Sequence, residues 1–538
     1  GRGGMIARAL IAGTSLLVLA SVSAPALAQG TPASTRKVDV TPYLGIDQVV
    51  MVPLKGDGDV VTYTNLTAGV TVEVQTRRLN AAADVQYMHS FGWGHATDSD
   101  VLSGIANAGY KLTPELTLQA GGIASRVRTD GYSGAAAIDN RFTSQIWGGY
   151  IGPSYATKVG DLDIKASYRL GYARVDDDVD VNVPGAAIAN GSFAQSWSHD
   201  LNGSIGFSPG TILPVGLTAS AGYSREDASQ LDQRFEDVWG RVDAIMPVSP
   251  TVALLGGIGY EDIEISQRAP LLDEDGVPII RNGRYVTDKS SPRELYYDFG
   301  DLIWDVGVLW RPNRRTSLKA TVGERYGGMS YQGQFTWQGR NSSIGIAVFD
   351  GIESFGRMIT ADAAAFTGTD LIVPRNPFTG DLTGCAFSPT GGGECFNDAL
   401  AGITGANFRY RGVAGQYSTR RGPWGFGLGG GYSNRKFITP TTQSVLISGT
   451  RDQNWYGNGT VTYAFNDRDS LDTAVYINYF DASGARADVL NYGAFTSYFR
   501  GLTRKLTASA SLGVDAAKAD DFDTLINAMG QVGLRYSF

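Results

Sequence analysis

The chain has 538 residues, room for several soluble domains or one very large barrel. Its 70 glycines are nearly twice ordinary usage, and Tyr (26) with Phe (22) outnumbers Lys plus Arg (45), yet mean hydropathy is slightly negative at −0.11. This suits a thin apolar skin over a wet interior, and the net charge of −8 argues against nucleic acid as a partner, since phosphate binding needs clustered Lys and Arg.

Residues 1–4 read as an extension ahead of Met5. Arg8, an apolar run over 9–22 and a small-x-small cleavage site at Ala26 and Ala28 predict a secretory signal peptide over 5–28. A short periplasmic lead over 29–37 follows. No other segment approaches the ~20 apolar residues a membrane helix needs. The mature chain is therefore expected to be exported, and to cross a bacterial outer membrane with strands if it crosses at all.

From 38 to 538 one unit repeats: about ten alternating residues, a turn, about ten more and a longer loop. Leu162, Ile164, Ala166, Tyr168 and Leu170 alternate with Asp163, Lys165, Ser167 and Arg169. Val215, Leu217, Ala219, Ala221 and Tyr223 alternate with Gly216, Thr218, Ser220 and Gly222. Each segment thus has one greasy and one polar face. A β-sandwich alternates too, but these segments are near the roughly 9–11 residues that cross a bilayer at a tilt, longer than the usual five or six. Aromatic residues gather toward the strand ends. Tight connections such as Thr113-Pro114-Glu115, Val248-Ser249-Pro250 and Arg421-Gly422-Pro423 alternate with long ones, notably over 265–300 and 352–406. The prediction is one antiparallel transmembrane β-barrel over 38–538, all-β, of about 22 strands (range roughly 18–24), with long extracellular loops.

At Trp310 the chain reads WRPNRRTSLKATVGERYGGMSYQGQFTW. A Pro-containing turn leads through Arg315-Thr316 into a strand closing on Gly323-Glu324-Arg325-Tyr326-Gly327-Gly328, and Ser330-Tyr331 opens the return. This resembles the signature hairpin of outer-membrane barrels associated with PEP-CTERM/exosortase systems, a group overlapping the broad β-barrel porin class. The match covers about twenty residues and departs at Gln338-Gly339-Arg340-Asn341 and in the long loop at 352–406. The resemblance implies a role beside exopolysaccharide production and export, with polysaccharide-export components as partners and no enzymatic activity.

Cys385 and Cys395 share one loop, and in an oxidising compartment such a pair forms a disulfide. A metal site is disfavoured because no His lies nearby. The three histidines are His89, His95 and His199; Ser198, His199 and Asp200 suggest a hydrolase, but neighbours on a strand point to opposite faces and cannot form a triad. Acidic clusters at Asp57 and Asp59, Asp98 and Asp100, Asp176–Asp178 with Asp180, and Asp273–Asp275 bind divalent cations that bridge to lipopolysaccharide, repel anions at a pore mouth, or are simply solvated.

Lys165, Arg169, Arg241, Lys319, Arg325 and Arg535, with Asp163, Asp243 and Asp515, fall on polar faces as candidate lumen charges, either selecting ions or neutralising one another. The chain closes with Val532, Leu534, Tyr536 and Phe538 alternating to a terminal aromatic carboxylate, which resembles the signal read by barrel-assembly machinery. No nucleophile–base pair, paired catalytic carboxylates, cofactor motif or metal set stands out. Strand one begins about ten residues after the predicted cleavage site, leaving no room for a plug domain such as an energised receptor requires. Two readings remain: a porin-like pore or export conduit, and a non-conducting structural or assembly barrel whose loops bind partners. Whether the 352–406 loop folds inward separates them. Outer-membrane lipid, lipopolysaccharide and assembly machinery are the expected partners.

Overall fold

The computed structural model describes residues 37–538 apart from 57–58, 95, 129–142, 178–192, 282–283, 369–370, 390, 397–402, 441–450, 482–487 and 520–522. The extension, the signal peptide with Ala26 and Ala28, most of the lead, His95, Asp57, Asp178 and Asp180 lie outside the described residues.

Twenty-two antiparallel strands form a single sheet. The shortest, Thr316–Arg325, has 10 residues and the longest, Glu294–Asn313, has 20. The first strand, Lys37–Lys55, pairs with Val61–Gln75 on one side and with the last strand, Leu525–Ser537, on the other. That pairing closes the ring. A closed ring satisfies every backbone amide within the wall, the condition for lying in hydrocarbon, and it excludes two stacked sheets.

The faces are inverted relative to a soluble core. On the Leu506–Ala519 strand the apolar Leu512 is 68% exposed while Asp515, on the opposite face, is 2% exposed. Outward aromatics form two belts. On the Trp424–Ile438 strand and its neighbours one belt joins Trp424 to Tyr463 (4.4 Å between ring centroids), and the other joins Tyr432 to Trp455 (5.0 Å) and Trp455 to Tyr479 (5.5 Å). Trp424 and Tyr432 are eight residues apart, about 27 Å along a strand and about 20 Å along the normal at a ~40° tilt, near the ~25 Å apolar band of such barrels.

Shorter turns hold the rim where the first strand begins and the last ends, and longer connections, the Tyr326-Gly327 hairpin apart, leave from the other. The turn at 76–78 has no sequence signal because neither Gly nor Pro builds it; the Thr76 hydroxyl accepts the Leu79 amide (2.9 Å) instead. At Tyr326-Gly327 the hairpin turns in two residues, both with positive φ (56° and 69°), the conformation that matches strand twist. The 268–293 connection forms a short hairpin, Ile280–Arg281 with Arg284–Tyr285, tied to the rim by Arg268 and Lys289 on Asp232 (3.1 and 2.8 Å).

Candidate functional site

The connection 354–406 lies within the long loop predicted over 352–406, whose inward or outward course the sequence leaves open; it folds inward and fills part of the lumen. The cause is its composition: Phe355, Met358, Ile359, Phe366, Phe378, Phe387 and Phe396 are all buried, and a solvated loop would leave that area in water. It starts with a helix, Phe355–Ala365, whose N-cap is Ser354: the hydroxyl accepts the Arg357 amide (3.1 Å) and donates to Glu226 on the wall (2.5 Å). Arg357 pairs with the same Glu226 (3.3 Å) and lies over the Phe235 ring at 3.4 Å.

Inward-facing glycines make room for the segment. A Cβ on Gly148 would stand 2.9 Å from Ile359, so the helix rests there on bare backbone; one on Gly171 would meet the wall's Ser198 before Thr360 (3.1 Å), and one on Gly121 the wall's Tyr150 (2.6 Å) before the Ala363 carbonyl (3.2 Å). Further on, the Tyr63 hydroxyl donates to the Phe378 carbonyl (3.0 Å), and the Phe378 ring lies where a Cβ on Gly513 would be 2.5 Å away. Arg375 binds Asp84 (2.8 Å) and Ser103 (3.0 Å), while Asp381 receives Arg126 (2.9 and 3.1 Å).

Cys385 and Cys395 are joined as a disulfide that staples a short hairpin of two-residue strands, Cys385–Ala386 and Glu394–Cys395. The hairpin sits on the inner side of Trp424–Ile438, where Gly425, Gly427, Gly429 and Gly431 leave a bare stripe. A Cβ on Gly429 would meet the two sulfurs at 2.6 and 2.7 Å, and one on Gly427 would meet the Phe387 ring at 2.7 Å. Deeper still, Ser343 donates to the Ser388 carbonyl (2.7 Å) and Gln338 to that of Pro389 (3.3 Å). Gln338 and Ser343 flank the tight turn at 339–341, so the segment runs from the outer rim to the opposite one. Burial holds the Glu394 carboxyl in this hairpin at about 7, well above its ordinary value, against a lowering hydrogen bond from the Cys395 amide.

The nine candidate lumen charges all lie on inward positions of their strands, in different roles. Arg241 is 6% exposed and bridges Asp243 (2.5 Å) and Asp305 (2.7 Å), with Lys319 three strands away. Arg325 is not a pore-wall charge. It is 5% exposed and forked onto buried Glu261, with a 2.6 Å Nε–Oε2 bond. Asp515 is buried beside Asn527 (3.4 Å). Arg535 is exposed and stacks on Tyr43 at 3.4 Å, and Asp163 pairs with Lys158 (3.6 Å) beside Lys165. Arg169 lies over the Tyr150 ring (5.2 Å) and, with Asp200, Asp237, Glu353 and Arg357, lines a small cavity between helix and wall.

His199 faces outward against the Tyr168 hydroxyl (2.8 Å), while Ser198 and Asp200 face the lumen, so the three do not converge. His89 also faces outward, on Asp100 (2.7 Å). Asp273 spends its carboxylate on the Asp275 and Val277 amides of its own turn (3.0 and 2.8 Å). Among the described residues no three ligating side chains gather as a metal site. Val532, Leu534, Tyr536 and Phe538 all point outward and are exposed.

A closed ring of 22 strands with an apolar outside, two aromatic belts and a polar inside defines an outer-membrane β-barrel. No protein-family model matches the chain, and no curated protein sequence matches it. Among solved structures it is similar to the siderophore receptor PirA from Acinetobacter baumannii, at 9% identity and a TM-score of 0.41 over 94% of this chain and 81% of that one. It is also similar to the FrpB iron transporter from Neisseria meningitidis, at 10% identity and 0.42 over 92% and 81%. At these values the likeness leaves function to this chain's own residues.

Proposed function

We propose that the protein is a constricted outer-membrane conduit for small polar or charged solutes, with the 354–406 segment setting the bore. The observation that carries this reading is the uneven filling of the lumen. The segment presses on the glycine-bearing wall, whereas the sector from Val252 to Arg325 presents exposed Asp301 and half-buried Asp305 and Lys319 to the interior. Charges lining a water-filled passage set what crosses it. The resemblance of the hairpin at 315–331 to exosortase-associated barrels supports saccharides as cargo.

A second reading, a sealed scaffold, is favoured by the segment's reach: it touches the wall at Asp84 and Arg126, at Gly427 and Gly429, and at Gly513. Purified protein in planar bilayers separates the two. Discrete conductance steps, with entry of oligosaccharides below a size limit in liposome swelling, support the conduit. A silent bilayer supports the scaffold.

A further inference from the structure

The outer surface carries a feature unconnected with the lumen. On three adjacent strands, Asn407–Arg421, Trp424–Ile438 and Arg451–Ala464, the register places Arg409 opposite Lys436 and Lys436 opposite Arg451. The next outward row toward the membrane is Arg411, Asn434 and Gln453, with Asp481 beyond. The row after that is Val413, Tyr432, Trp455 and Tyr479, the aromatic belt nearer the outer rim. The basic row thus stands four residues beyond the belt, about 13 Å along the strand and about 10 Å along the normal. That is the depth of lipid headgroups.

Three cations abreast at strand spacing repel one another, and like charges directly opposite destabilise a sheet. Arg409 has relief: it is forked onto buried Asp350 (2.9 and 2.9 Å), which also receives Arg411 (3.1 Å). Lys436 and Arg451 are both exposed, and the connection between their strands, 439–450, contains no acidic residue. Elsewhere on this rim outward arginines are paired: Arg174 with Asp176 (2.6 Å), and Arg225 and Arg234 with Asp227 (2.7 and 2.8 Å).

We propose that Lys436 and Arg451, with the exposed edge of Arg411, bind the phosphate of a phosphorylated outer-leaflet lipid whose acyl chains lie along the Tyr432–Trp455–Tyr479 belt. A phosphate oxygen set between the two cations turns their repulsion into two charge-assisted hydrogen bonds. Asn434 and Gln453 lie one row lower, within reach of a sugar headgroup.

The test is native mass spectrometry of the full chain in mild detergent, titrated with lipid A, against the double variant Lys436→Gln/Arg451→Gln and the control Arg174→Gln. Heat-modified gel mobility checks that each barrel is folded. The expected result is one tightly retained lipid A on the wild type and the control, and at least tenfold weaker retention on the double variant. Inorganic phosphate at millimolar concentration should not displace it; displacement by phosphate would reassign the site to a free anion and overturn the lipid. Equal retention by folded wild type and double variant, or none by either, would also overturn it.

Discussion

Gly429→Ala tests whether the lumenal segment governs the bore. The added methyl would lie 2.6 Å from the Cys395 sulfur and 2.7 Å from that of Cys385, about 1 Å inside ordinary carbon–sulfur contact. The disulfide makes the hairpin a rigid unit, so it must move as one. Overpacking of this kind costs about 1–3 kcal/mol, a factor of roughly 5–150 in the ratio of docked to displaced segment. The barrel itself loses nothing, because Ala is no worse than Gly in a strand. Single-channel recording should then show larger or noisier steps than the wild type, and liposome swelling should admit larger sugars. Gly256→Ala, where the methyl meets nothing within 4 Å, is the matched control. Wild-type conductance from a folded Gly429→Ala barrel would refute the idea that the hairpin restricts passage.

Three further outcomes are expected. Arg325→Ala should lower thermal stability in detergent by about 3–5 kcal/mol, because it leaves Glu261 buried and unpaired; a shift in ion preference without loss of stability would contradict the buried pair. Arg535→Glu, at an exposed inward position, should move the reversal potential toward cations while lowering stability only by the lost stacking on Tyr43, about 0.5–1 kcal/mol, and an unmoved potential would remove Arg535 from the conducting path. Glu394 titrates at about 7 in the docked hairpin and near 4.5 when exposed. The docked state therefore holds a proton that the released state lacks between these values, so docking weakens as pH rises from about 4.5 to about 7 and is level above. Conductance should grow across that window in the wild type and stay flatter in Glu394→Gln; parallel profiles would place the sensitivity elsewhere.

The barrel was legible because each strand declares itself locally. Alternation in Leu506–Ala519 or Leu162–Asp177 needs only ten or so consecutive residues, and many hairpin turns, though not the one at 76–78, carry their own Gly, Pro and Asn signals. The charges were legible as inward but not as paired. Arg325 reads as a lumen cation until Glu261, 64 residues earlier and two strands away, takes up its guanidinium. The placement of 354–406 was hidden for the same reason, since Gly121, Gly148, Gly171, Gly429 and Gly513 belong to five separate strands. Each glycine alone is only a weak strand residue. Their common meaning appears once closure brings them around one segment.

These glycines also bear on what kind of element the segment is. Gly in a strand interior costs about 0.5–1 kcal/mol relative to Ala. Losing a side chain at several inward positions is compensated only where another part of the chain fills the space. At Gly148, Gly427, Gly429 and Gly513 the filling groups are Ile359, Phe387, the disulfide and Phe378. The wall is therefore cut to the docked segment, and docking is the ground state rather than one pose of a loose loop. Anything that opens the lumen further must offset those contacts together, because the helix, the Phe378 turn and the stapled hairpin are successive parts of one short chain.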